Sequence, residues 1–93
     1  MRLVADIEGA NTRLALAAHG VIVPRTVRSS PNDDWPHFYD MPAAYLPDQS
    51  PARLTDLVIA VAGPVEGGLA QPTNRNWTIC AADLVRSTGY TKP

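Results

Sequence analysis

Leu3, Val4 and Ala5 form an apolar run that ends at Asp6 and a short turn containing Gly9; a second apolar run, residues 14–18, follows at once. Two such runs around a tight turn read as strand, turn, strand, with a carboxylate at the mouth of the hairpin. The chemistry follows from the geometry. A turn with bare backbone N–H groups can cradle a phosphate, and a neighbouring Asp can hold the phosphate's metal ion.

The rest of the chain supplies partners for that hairpin. Strands are expected over residues 3–7 and 12–18, with His19 and Gly20 as the turn between the second strand and a third β-rich run over 21–27. Pro24 lies inside this third run. Proline cannot donate to a ladder, so the strand belongs at an edge or carries a bulge. Three consecutive antiparallel strands make a meander. A polar loop over 29–36 carries Pro31, Asn32, Asp33 and Asp34. Phe38, Met41, Tyr45 and Leu46 then have the spacing of one helix face, which predicts a helix within 37–46. An interior proline costs a helix about 3 kcal/mol, so the helix is short or starts near Pro42.

After a loop over 47–55, residues 57–62 are continuously apolar and read as a strand buried on both faces. Such a strand expects cover on each side, which predicts marginal stability for the chain by itself. Gly63 and Pro64 end it, and Glu66, Gly67 and Gly68 give a turn before a short strand at Leu69 and Ala70. Residues 77–80 extend again. Residues 81–88 read as a helix capped by Gly89. Pattern alone defines a mixed α/β domain.

Bulk properties exclude several classes. Ninety-three residues make one domain at most, and a net charge of −1 offers nothing to nucleic acid or an acidic membrane. Charged residues are 18%, under the roughly 25% of an ordinary soluble domain, which implies faces meant to be covered. The single cysteine, Cys80, excludes an internal disulfide and fits a reducing compartment; it reads as a small buried hydrophobe. No apolar run approaches the ~20 residues of a membrane helix, and no leader pattern opens the chain, so a cytoplasmic location is expected. His19 and His37 lack ligand spacing, so no metal site is expected from them. Asp33 and Asp34 read as a solvated loop, and Arg13 as a strand-surface residue or the partner of a carboxylate.

The pattern Asp6-Ile7-x-Gly9-x-Asn11-x-Arg13-Leu14-Ala15-Leu16 resembles the first phosphate-binding hairpin of bacterial glucokinases, within the actin-like ATPase and sugar-kinase superfamily. Ala60-Val61-Ala62-Gly63-Pro64-Val65 is similar to the Ala-x-Ala-Gly-Pro-Val strand of the same family. Thr73-Asn74-Arg75-Asn76-Trp77, followed by Asp83-Leu84, resembles its Thr-Asn-x-x-Trp segment. The three occur in the family's order; residues 21–55 match in outline.

The resemblance implies a ribonuclease-H-like half-domain: a three-strand antiparallel meander, a central strand and flanking helices, with residues 1–93 a single partial N-terminal domain. It implies ATP with Mg2+ as cofactor, bound by Ala5, Asp6, Ile7, Glu8, Gly9, Ala10 and Asn11. It implies phosphoryl transfer from ATP to the 6-hydroxyl of glucose. Asn74 would bond a sugar hydroxyl or brace a loop, and Trp77 would stack on a sugar or, more in keeping with its type, pack the helix over 81–88 onto the sheet. The family pattern at the hairpin is Asp-x-Gly-Gly-Thr-Asn. Here Glu8 replaces a glycine and Ala10 the threonine, which adds a negative charge and removes a donor, so ATP binding is expected to be weak or absent. The general base of the family comes in an Asn-Asp pair that this chain does not reach before Pro93, so no catalytic residue and no metal ligand is assigned. The larger second domain is likewise expected to be missing. Two readings stay open: the N-terminal piece of a glucokinase, inactive alone, completed by a C-terminal domain or a homodimer; or a truncated or degenerate binding module of the same fold.

Overall fold

The computed structural model describes residues 1–49, 54–61, 65–66, 69–70, 77–80 and 83. Its elements are β1 (Arg2–Ile7), β2 (Asn11–Ala18), β3 (Val21–Ile22), β4 (Arg28–Pro31), α1 (Asp40–Gln49), β5 (Asp56–Val61), β6 (Val65–Glu66), β7 (Leu69–Ala70) and β8 (Ile79–Cys80). The fold is mixed α/β and dominated by sheet. β1 sits between β2, antiparallel to it, and β5, parallel to it. β3 and β4 both pair with β2, one at each end of that long strand. A second, smaller sheet joins β6, β7 and β8 in antiparallel order.

Alternation fixes the register. Leu3, Ala5 and Ile7 of β1 are buried, and they face Leu16, Leu14 and Thr12 of β2, which are buried as well. A slip of one residue would send this whole set to the opposite face. On the core side they meet Phe38, Met41, Tyr45, Leu46, Leu54, Trp77 and Ile79 in one cluster. Met41, Pro42, Tyr45 and Leu46 are the buried residues of α1 and recur at helical spacing, which lays one face of the helix on the sheet. Pro42 stands in the first turn, where no intrahelical donor is required. The helix therefore starts just before Pro42, as its chemistry demands, and runs to Gln49 with Pro47 inside it.

The third strand departs from expectation. A 3-10 turn, Pro24–Thr26, splits it into β3 and β4, and the pairing resumes as far as Pro31. The break is patched by Thr26. The Leu16 N–H donates to Thr26 Oγ1 at 3.0 Å, and that hydroxyl donates to the Val23 carbonyl at 2.6 Å. A buried side chain thus replaces the ladder bond that the turn removes. Before β3, His19 and Gly20 both have positive φ, 54° and 78°. Two left-handed residues in succession make the tight connection whose twist matches flanking strands.

β5 corrects a second expectation. None of its six residues is buried: Leu57, Ile59 and Val61 are half-covered against the core cluster, while Val58 and Ala60 on the other face are exposed. The run is apolar throughout, but among the described residues it has a strand on one side only. Trp77 belongs to the core cluster. It is buried against Phe38, with ring centroids 5.5 Å apart, and its indole N–H donates to the Trp35 carbonyl at 3.1 Å. Both of these partners belong to the segment leading into α1. The helix expected over 81–88 lies outside the described residues apart from Asp83.

Candidate functional site

The hairpin turn between β1 and β2 is closed by the Glu8 N–H, which donates to the Asn11 carbonyl at 2.9 Å. Glu8, Gly9, Ala10 and Asn11 are all exposed there. Asn32 fastens the turn from beneath. Its Nδ2 donates to the Glu8 carbonyl at 2.9 Å and makes a longer contact, 3.5 Å, with the Gly9 carbonyl. Its backbone N–H donates to the Ala10 carbonyl at 2.8 Å. Its Oδ1 accepts from Thr12 Oγ1 at 2.7 Å. Asn32 and Thr12 are both completely buried. The reversed amide would turn an oxygen onto two carbonyls, so the network fixes its orientation.

The seven hairpin residues divide by face. Ala5 and Ile7 point into the core and can offer a ligand only their backbone. Asp6 is half-buried on the opposite face, across from Arg13 in β2 and beside Ala60 in β5. Asp6 and Arg13 form no ion pair; Arg2 and Asp56 do, at 2.7 Å. Arg2 lowers the Asp56 pKa, chiefly through its hydrogen bond.

Ile7 and Val61 are partners in the parallel register, so β1 and β5 reach the same end of the sheet together. The turn at 8–11 and the chain leaving β5 toward Gly63 and Pro64 therefore start from one edge. Ligands of α/β folds gather at the carboxyl ends of parallel strands. Gly63, Pro64 and Asn74 themselves lie outside the described residues. A groove of about 320 Å³ lined by Arg28, Ser30, Trp35, Met41, Tyr45 and Asp48 lies elsewhere, against α1 on the core side. Among the described residues no three His, Cys, Asp or Glu side chains converge, and no helix is long and apolar enough to cross a membrane.

Asn32 is the residue that sequence reasoning missed. Read in sequence it is one polar residue in a polar loop, 24 positions from Glu8. Its partners on the turn are backbone carbonyls, which carry no residue-type signature.

The fold presents an exposed hairpin turn on a mixed α/β sheet, and comparison with known proteins gives the class. The sequence model of the family described as Glucokinase matches residues 3–92. This chain belongs to the glucokinase family. It is 33% identical over 89 residues to "Bifunctional protein glk" of Burkholderia pseudomallei (strain 1710b), covering 96% of this chain and 14% of that protein. It is 31% identical over 88 residues to "Glucokinase" of Hahella chejuensis (strain KCTC 2396), covering 95% of this chain and 27% of that one. Among solved structures it is similar to a glucokinase from an Antarctic psychrotroph, with a TM-score of 0.77 and 26% identity over 98% of this chain and 30% of that chain. The chain thus spans less than a third of the relatives it matches, and the matched region is a sugar-kinase N-terminal region.

Proposed function

We propose that residues 1–93 form the single small N-terminal domain of an ATP-dependent glucokinase with the ribonuclease-H-like arrangement, a cytoplasmic enzyme part that is inactive alone. The observation that carries this reading is the meeting of Asp6 and the 8–11 turn with the end of β5 at one edge of the sheet. The residues suit the Mg2+-nucleotide. Asp6 has no ion-pair partner among the described residues, and no protein acceptor among them faces the Gly9 and Ala10 N–H groups. Asp6 would hold the hydrated Mg2+ ion, which when bound offsets the charge of the ATP phosphates. Gly9, Ala10 and Asn11 would face those phosphates, and Asn74 a sugar hydroxyl. The proton acceptor for the glucose 6-hydroxyl would come from outside these residues, as would the second wall of the cleft, supplied by a C-terminal domain or a second copy.

Glu8 and Ala10 favour a second reading, in which the domain binds without catalysing. Glu8 brings negative charge to a turn suited to anions, and Ala10 lacks the hydroxyl of the family's threonine. Two assays on the full-length polypeptide separate the readings. ATP-dependent glucose phosphorylation is expected to be absent in the polypeptide alone and to appear once the rest of a glucokinase is supplied; its continued absence favours the binding module. Calorimetric titration with Mg-ATP is expected to give weak binding, and micromolar affinity would refute the claim that Glu8 and Ala10 impair the turn.

A further inference from the structure

We infer that Asn32 is the positioning residue of the phosphate turn: it sets the direction in which the turn's N–H groups point. The inference rests on the reading of residues 8–11 as a nucleotide turn. A trans peptide unit is planar, and its C=O and N–H point in opposite directions. Among the described residues no peptide bond is cis. The Glu8 carbonyl shares its plane with the Gly9 N–H, the Gly9 carbonyl with the Ala10 N–H, and the Ala10 carbonyl with the Asn11 N–H. Asn32 draws all three of those carbonyls toward itself. The three N–H groups must therefore face away from Asn32, on the side where the turn is exposed.

The device is built to hold. Asn32 is completely buried, and its remaining groups are also engaged: Oδ1 accepts from Thr12, and the backbone carbonyl accepts from the Trp35 N–H at 3.1 Å. Pro31 precedes it with φ −63°, an extended backbone that delivers the chain into the 3-10 turn at Asn32–Asp34. Preorganised donors are effective because they need no reorientation when an anion arrives. Asn32 would act entirely through the turn, touching neither nucleotide nor sugar.

The test uses inorganic triphosphate as probe and the backbone amide resonances of Gly9 and Ala10 as readout, in the full-length polypeptide. In the unaltered protein those resonances are expected to shift saturably. Asn32→Asp keeps the shape and the acceptor for Thr12 but removes the Nδ2 donors, and is expected to weaken triphosphate binding by about tenfold or more. Its core resonances, such as that of Leu16, should stay in place. Thr12→Val removes only the brace on Oδ1 and is expected to weaken binding by about threefold. Asn32→Asp that stays folded and binds as tightly as the unaltered protein overturns the inference alone. If Asn32→Asp does not fold, Thr12→Val decides: weaker binding supports the role and unchanged binding overturns it. If the unaltered Gly9 and Ala10 amides ignore triphosphate, the nucleotide-turn reading falls and takes this inference with it.

Discussion

The Tyr45 hydroxyl donates a 2.6 Å hydrogen bond to the carbonyl of Thr26, which ties α1 to the turn that splits the edge strand. Thr26 in turn takes the Leu16 N–H, so one short chain of contacts runs from the helix to β2. Tyr45→Phe is expected to cost about 0.5–1.5 kcal/mol in denaturant unfolding at neutral pH. Burial raises the Tyr45 pKa above its ordinary value of 10.0, outweighing the Arg28 charge, which lowers it. The folded state therefore favours the protonated phenol. Its contribution is complete below about pH 10, the unfolded value, and is lost as pH rises through the higher folded value. The alkaline loss of stability should be smaller in Tyr45→Phe.

Glu8 is exposed, so its repulsion of an approaching anion is partly screened. Glu8→Gln is expected to tighten Mg-ATP binding by about fivefold at low salt, the ~1 kcal/mol of a solvent-screened charge. The gain should shrink as ionic strength rises. Calorimetry at two salt concentrations checks both statements.

Trp77 fills the gap between Phe38 and the Trp35 carbonyl, so its role is packing. Trp77→Ala is expected to cost about 3–5 kcal/mol, a large part of the roughly 5–15 kcal/mol available to a small domain. In a Trp35→Phe background, Trp77 fluorescence should stay blue-shifted and unquenched when glucose is added. Quenching by glucose would instead place a sugar against that ring.

At Gly20 an added Cβ meets nothing within 4 Å, yet φ is +78°. Gly20→Ala should therefore cost about 1 kcal/mol through backbone strain alone. His19, at φ 54°, carries a similar strain already. His19→Asn is expected to raise the melting temperature, since asparagine tolerates that conformation better.

How far the sequence could be read differs from residue to residue. The hairpin was legible because alternation along Leu3–Leu16 and a turn at Gly9 are local properties. Pro24 announced a defect in the third strand, since its missing N–H is local too. The nature of the defect was not legible: Thr26 repairs it by folding back onto Leu16. The apolar run of β5 identified a strand, but exposure of Val58 and Ala60 depends on what covers that face, which no single stretch encodes. Asp6 and the turn were legible as a candidate site; Asn32 was not, because it acts on peptide groups through the fold.

The split edge strand has a consequence for how the sheet can extend. On the β3 and β4 flank, a 3-10 turn, Pro24 and Pro31 interrupt the run of backbone partners that an incoming strand would need. On the β5 flank the backbone is regular from Asp56 to Val61. Growth of this sheet is thereby directional: a sixth strand, whether from the same polypeptide or another, finds its template beside β5 and is turned away at the opposite border.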